Sequence, residues 1–200
     1  PISLSVDETE GVQAGETTDR VSKASFAQLF STVTVNNVQT ADYGTDGAGS
    51  VAYALSLVNA STSAALTTAV GSGLYALDAN QANGKGSEIE LSVDGNGNVV
   101  GKVGNTTYFT IAVDNTTTTT TTAGDVTFTQ AAGQNIWHSD TTSDNDAASL
   151  ALTEISNGVH AALRLTQTVT DADGDTDSAY VDLSSSDTTA NVAAFTVLDD

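Results

Sequence analysis

The 200-residue chain contains no cysteine, no methionine and only one proline. Without cysteine there is no disulfide, no thiolate zinc site and no cysteine nucleophile. The sequence has no run of about 18 apolar residues, so we expect no segment to span a membrane. It does not open on a charged stretch followed by an apolar one, so we expect no secretory signal peptide there. The absence of cysteine does not imply a reducing compartment, because large secreted proteins can also lack it; such proteins need another source of stability.

Basic residues are also scarce. Five Lys and Arg stand against 25 Asp and Glu, which gives a formal net charge of −20. Such a chain repels phosphate, so nucleic acid and anionic lipid are poor partners. The acids comprise 19 Asp and only six Glu, and they accompany 32 Thr and 17 Gly, a composition that favours strands and turns over helices. Carboxylates on tight turns bind hard cations, and the alternative is a coat that keeps the protein soluble.

Short segments that alternate apolar and polar residues recur along the chain, with turn residues between them. Many short strands at spacings of about 8–12 residues predict an all-β fold, an antiparallel β-sandwich or barrel with one face of each sheet exposed. The Asp-Gly and Asn-Gly pairs within residues 94–98 are typical of a hairpin turn. The predicted strands are residues 2–6, 31–38, 51–57, 73–78, 88–93, 99–100, 107–113, 125–130, 149–152, 159–169, 178–183 and 193–198.

Two segments could form short helices, and one tract has low complexity. Residues 23–30 could form one or two helical turns, and residues 144–150 could form one, since Asp and Asn favour helix N-caps. Seven consecutive threonines occupy residues 116–122. Threonine is polar, so we expect this tract to be a solvated loop or an edge-strand extension; O-glycosylation or an ice-like surface is the alternative.

The densest acidic motif is TVTDADGDTD at residues 168–177, in which four Asp alternate over seven residues: Asp171, Asp173, Asp175 and Asp177. These carboxylates repel one another unless a cation neutralises them, and Ca²⁺ takes six to eight oxygen ligands. An EF-hand does not fit, because the glycine is fourth rather than sixth and the twelfth residue is Asp182 rather than Glu. The motif therefore predicts a calcium-binding turn between two strands, with a plain solvated turn as the alternative.

Further acids cluster elsewhere, and we name them as weaker candidates. One group, Asp7 to Glu10, follows the first strand, and Asp199 and Asp200 close the sequence. A cation held there would bridge neighbouring domains; the alternative is that the ends are simply polar. Asp42 and Asp46 flank the glycine-rich turn 44–49, and Asp144 and Asp146 share another loop. The metal-ligand candidates are Asp7, Glu8, Asp46, Asp171, Asp173, Asp175, Asp177, Asp199 and Asp200.

Catalysis fits the sequence poorly, and we expect no enzyme. The only histidines are His138 and His160, and no G-x-S-x-G motif is present. We interpret His138 as a structural or surface residue and Trp137 as a core residue rather than a platform for sugar. Arg164 is expected to pair with an acid at the surface.

Three segments carry a resemblance to a known family: VDETEG at residues 6–11, YGTDGAGSVAYAL at 43–55 and TVTDADGD at 168–175. They resemble the repeated domains of giant bacterial RTX adhesins, the biofilm and ice-binding surface proteins exported by type I secretion. The resemblance implies an immunoglobulin-like β-sandwich stabilised by Ca²⁺. The RTX nonapeptide is absent, so we expect this segment not to be the secretion-signal end of such a protein.

The resemblance also implies a function. We expect a single domain over residues 1–200, with 1–10 and 196–200 as junctions to neighbouring domains of one long chain. It would be a monomeric, extracellular, calcium-stabilised module that extends the adhesin for surface attachment and biofilm formation. Weak sites would stay empty at cytosolic calcium and fill outside the cell, coupling metal binding to folding. The alternative is a domain near the adhesin tip that binds a glycan or peptide.

Overall fold

The computed structural model describes residues 1–30, 32–35, 38–140, 146–156, 158–187 and 191–199, and it confirms an all-β sandwich. These residues form fourteen strands and one 3₁₀ turn, Ala27–Leu29. None of the described helices is long and apolar enough to cross a membrane. The strands are β1 (Ile2–Asp7), β2 (Val21–Ser25), β3 (Thr32–Val35), β4 (Val38–Ala41), β5 (Ala48–Asn59), β6 (Val70–Leu77), β7 (Lys85–Val93), β8 (Val99–Val103), β9 (Thr106–Val113), β10 (Asp125–Gln130), β11 (Ala147–Ser149), β12 (Ala161–Asp171), β13 (Thr176–Ser185) and β14 (Ala193–Leu198).

Three sheets build the sandwich and a small hairpin accompanies them. The largest is a six-stranded antiparallel sheet in the order β2-β10-β9-β8-β7-β6. Two three-stranded sheets, β13-β12-β5 and β1-β14-β11, pack against it: β5 contacts β7, β8 and β9, while β1 contacts β2 and β10. The predicted turn at 94–98 joins β7 to β8, with the Asp94 carboxylate accepting the N–H groups of Asn96 and Asn98.

The first and last strands pair in parallel, which departs from the expected antiparallel arrangement. Ile2 lies opposite Ala193 and Asp7 lies opposite Leu198. Every second residue of β14 is buried, namely Ala193, Phe195 and Val197, as strand alternation requires. Most of the two predicted junction segments therefore belongs to strands that contribute to the core.

Aromatic side chains join the layers at the centre of the core. The Phe128 ring lies 5.6 Å from the ring of Phe109 on the neighbouring strand and 5.6 Å from that of Phe195 on β14, both edge-on. All three side chains are almost fully buried. Edge-to-face aromatic pairs add about 0.5–1.5 kcal/mol each beyond the burial of their area.

Of the two predicted short helices, the first is confirmed only as the single 3₁₀ turn Ala27–Leu29, and the second is wrong over its described residues. Within residues 23–30, Lys23 to Ser25 belong to β2, which pairs with β10, and only the 3₁₀ turn follows. Within residues 144–150, the described part contains β11, which adds to the edge of β14. In both places pairing to an existing sheet edge outweighs the weak local helix preference.

The sequence predicts a single strand over residues 31–38; its described residues instead belong to β3 and the start of β4, which pair antiparallel. Residues 31, 36 and 37 of that prediction lie outside the described residues. The threonine tract is an exposed loop between β9 and β10, as expected, with hydroxyl contacts among its own residues. Just before the tract, the Asn115 side chain accepts from the Tyr53 N–H and donates to the Tyr53 carbonyl at 2.7 Å. This pair of hydrogen bonds occupies the edge of β5 that β12 leaves open.

Candidate metal centre

The Asp171–Asp175 segment forms the tight turn that joins β12 to β13, and we call it the Asp turn. Asp171 closes the turn with both its side chain and its backbone. Its carboxylate accepts the N–H groups of Gly174 at 3.0 Å and Asp175 at 2.8 Å. Its own N–H donates to the Asp175 carbonyl at 3.0 Å. Gly174 has φ +100°, a conformation that glycine adopts without strain. The turn is therefore fixed by its own sequence.

Three of the four predicted carboxylates converge at this turn. Asp171, Asp173 and Asp175 each place an oxygen within 4.8 Å of the others. The pKa of Asp171 is lowered, first by its side-chain hydrogen bond with Asp173 and then by the backbone N–H groups of Asp175 and Gly174. A lowered pKa keeps this oxygen donor ionised at neutral pH, the form that a divalent cation binds.

The Asp turn faces an open cleft of about 440 Å³ that contains more acids. Asp42 and Asp177 line it together with Asp171 and Asp175. Asp42 reaches this position because the glycine-rich turn before β5 lies beside the Asp turn. At Gly49 an added Cβ atom would clash with the Thr170 carbonyl oxygen, so only glycine allows this approach.

No basic side chain is paired with the Asp turn among the described residues, which include all five Lys and Arg. Lys23 forms an ion pair with Asp114 at 3.0 Å, and Arg164 binds Asp182. Arg20 donates to the Glu8 carbonyl and to Gln130. Lys85 stacks on Tyr75, and Lys102 lies near Asp94. The described basic side chains therefore do not balance the converging carboxylates.

Two other predicted ligands lie near the Asp turn but outside the converging group. Asp177 is already in β13, and its carboxylate accepts the N–H of Ser178 at 2.8 Å. Asp46 lies on the glycine-rich turn, where its carboxylate contacts the Thr45 hydroxyl at 3.5 Å. That turn reaches the Asp turn through Gly47, where an added Cβ atom would lie 3.7 Å from the Cβ of Ala172.

A second acidic region forms where β1 and β14 end side by side. Its cleft, which we call the Glu8 cleft, has a volume of about 580 Å³. Glu8 and Asp199 meet there because the Glu8 N–H donates to the Leu198 carbonyl at 2.9 Å. Trp137 and His138, from the loop after β10, form another wall. Trp137 is only half-buried and does not belong to the core, so its interpretation as a core residue is wrong.

The Glu8 carboxylate is bound by hydrogen-bond donors of the protein itself. Its Oε1 accepts the Ile136 N–H at 2.6 Å and the Gln130 amide at 2.5 Å. Burial raises the pKa of Glu8 to about 7, although these two donors and Arg20 act in the opposite direction and Asp199 raises it further. This carboxyl group links β1 to the loop after β10.

The remaining candidates also have roles within the fold. Asp7 is buried and accepts the Thr9 N–H at 2.8 Å, while its own N–H donates to Glu16. Asp200 lies outside the described residues.

His138, interpreted from the sequence as a structural or surface residue, is buried, with Nδ1 3.7 Å from Oδ1 of Asp199. The local sequence gives no sign of this contact, because Asp199 follows the last strand, far from His138 in sequence.

Arg164 pairs with an acid as predicted, but not at the surface. Its side chain is only 4% exposed and binds both carboxylate oxygens of Asp182, at 2.6 and 3.1 Å. The Tyr180 ring covers the guanidinium at 3.6 Å. Asp182 is thereby committed to an ion pair, away from the Asp turn.

The fold and its acidic turn define an all-β sandwich domain with a candidate site for a hard cation. The chain belongs to the family described as "Domain of unknown function (DUF5801)", whose model matches residues 3–184. A search of curated proteins found no match, and a search of solved structures found none either.

Proposed function

We propose that this domain is a calcium-stabilised structural module of a large extracellular bacterial adhesin, in which it extends and stiffens the chain. The observation that carries the proposal is the convergence of Asp171, Asp173 and Asp175 within 4.8 Å, with no basic partner among the described residues. Three carboxylates would supply oxygen ligands, and water or neighbouring groups would complete the six to eight that Ca²⁺ takes.

The position of the Asp turn supports a structural role. It joins β12 to β13, and β12 is the central strand of its sheet, paired with β5 along eleven residues. Gly49 brings the start of β5 against the same turn. A cation there would remove the repulsion among the three carboxylates, so metal binding would stabilise the end of the sheet where β5, β12 and β13 meet.

The proposed location and partners rest on the resemblance to the RTX adhesins. Extracellular calcium is high enough to fill sites with dissociation constants of about 10⁻⁴–10⁻³ M, and cytosolic calcium is not. Such a module needs no disulfide, which suits a chain without cysteine. Its partners would be neighbouring domains of the same chain, and no catalytic role is part of the proposal.

Thermal unfolding in excess chelator and in about 10 mM calcium tests the proposal. At that concentration a site with a dissociation constant of about 10⁻⁴–10⁻³ M stabilises the fold by about 1.4–2.7 kcal/mol. We expect a melting temperature several degrees higher in calcium, and no such rise in magnesium, which prefers a more rigid octahedral site. Equal melting temperatures with and without calcium would contradict the proposal.

A ligand-binding role is the second candidate, and the Glu8 cleft favours it. Half-buried Trp137 and Leu77, which is 49% exposed, line this cleft together with Asn83 and Asn135. Aromatic and amide groups in one cleft are suited to a glycan or a peptide. Binding on a glycan array that is lost on Trp137→Ala would support this role, and many tandem copies in the parent protein would favour the spacer.

A further inference from the structure

The most unusual polar group among the described residues is the His138 ring. Its side chain is 4% exposed, and neither of its nitrogens has a hydrogen-bond partner. Buried polar atoms without a partner are rare, and each one calls for a missing ion, water or ligand. His138 also lines the Glu8 cleft, although neither ring nitrogen is itself exposed to solvent.

Asp199 also has a buried polar atom without a hydrogen-bond partner. This atom, Oδ1, lies 3.7 Å from Nδ1 of His138. This separation is too long for a hydrogen bond. It is close to the spacing of about 3.4 Å between two ligands of a tetrahedral ion bound at about 2.0–2.2 Å from each.

We propose that His138 Nδ1 and Asp199 Oδ1 bind a divalent transition metal of the Zn²⁺ class, with water from the Glu8 cleft completing the coordination. Imidazole nitrogen is a common ligand of Zn²⁺, whereas Ca²⁺ takes oxygen ligands. The site is thus distinct from the Asp turn in place and in metal. Glu8 lines the same cleft, but its Oε1 already accepts two protein donors, so it is not counted as a ligand.

The metal would close a link between distant parts of the chain. Asp199 directly follows β14, and His138 lies in the loop after β10, which reaches the edge of β6 through the hydrogen bond from Trp137 N–H to the Tyr75 carbonyl at 2.7 Å. An ion at this place would fasten the end of β14 to the six-stranded sheet. Its binding would therefore raise the stability of the fold independently of calcium.

Calorimetric titration of the whole 200-residue chain with Zn²⁺, in millimolar calcium to occupy the Asp turn, tests the proposal. The chain has two histidines, so His160→Asn is a matched control: His160 bonds the Ser186 hydroxyl and lies 3.9 Å from Glu154. We expect one Zn²⁺ per chain in the wild type, in His160→Asn and in Asp173→Asn. His138→Asn and Asp199→Asn are expected to weaken binding at least about tenfold.

Ring nitrogen NMR spectra of the wild type keep the test decisive if a variant fails to fold. Addition of Zn²⁺ is expected to shift the Nδ1 resonance of His138 and to leave the ring of His160 unchanged. No Zn²⁺ binding by the wild type, equal affinity in His138→Asn, or a shift confined to His160 would overturn the proposal. Loss of Zn²⁺ binding in Asp173→Asn alone would assign the metal to the Asp turn, and would overturn it as well.

Discussion

Carboxylates occupy two contrasting environments in this domain, at the Asp turn and around Glu8. At the Asp turn three oxygens converge without a basic partner, and hydrogen bonds lower the pKa of Asp171. Around Glu8 the acid is surrounded by protein donors, and burial raises its pKa to about 7. A high density of acids thus serves two purposes: one group is kept ionised and open to a cation, while the other belongs to the packing of the fold.

The largest loss of stability is expected for an acid outside both clefts that is bound in an ion pair. Asp182 lies on β13, a few residues beyond the Asp turn, and binds the buried Arg164. Asp182→Ala leaves the buried guanidinium with its hydrogen bond to Ser63 but without a counter-charge, which costs about 3 kcal/mol in the free energy of unfolding. Denaturant unfolding in excess chelator measures this loss. Asp177→Ala on the same strand is the control, and an equal loss in both variants would contradict the assignment.

Glu8→Ala tests the packing role of the second environment. The change removes the acceptor for the Ile136 N–H and the Gln130 amide, which costs about 2–3 kcal/mol. The loss is expected to be the same in calcium and in chelator. Glu10→Ala, at an exposed neighbour, is expected to stay within about 0.5 kcal/mol of the wild type. A loss for Glu8→Ala that vanishes in chelator would instead make Glu8 a calcium ligand.

The pH dependence of stability separates the two environments further. Because the pKa of Glu8 rises from 4.5 to about 7 on folding, its contribution is complete below about pH 4.5 and disappears as the pH rises through 7. In chelator, we expect Glu8→Gln to remove a decline of about 1–2 kcal/mol between about pH 5 and 8, allowing for solvent screening of a partly exposed group. A decline of unchanged size in Glu8→Gln, measured by urea unfolding, argues against the raised pKa.

Local features of this protein could be predicted from sequence, whereas long-range ones could not. β10 and β14 have the predicted bounds, because strand alternation and turn residues are local signals. The Asp turn was equally visible, since Asp171, Gly174 and Asp175 are close in sequence. Asp177 fell outside the converging group because an extended strand advances about 3.3 Å per residue and carries its carboxylate away.

The second environment depends on contacts that no local pattern encodes. Glu8 meets Asp199 only because β1 and β14 pair in parallel, and His138 reaches Asp199 from a loop on the other sheet. The sequence predicted that acids at its two ends would form junctions with neighbouring domains, not that Glu8 and Asp199 would line one cleft. It could not show that the Glu8 carboxylate would be buried among hydrogen-bond donors, because Gln130 and Ile136 are more than 120 residues away in sequence.

Calcium titration by calorimetry, of the wild type beside Asp173→Asn, tests the central claim most directly. Asp46→Asn is the matched control, because Asp46 lies on the adjoining turn outside the converging group. We expect calcium binding by the wild type and by Asp46→Asn, and loss of one binding event in Asp173→Asn. No calcium binding by the wild type, or an unchanged titration of Asp173→Asn, would contradict the assignment of the Asp turn as a calcium site.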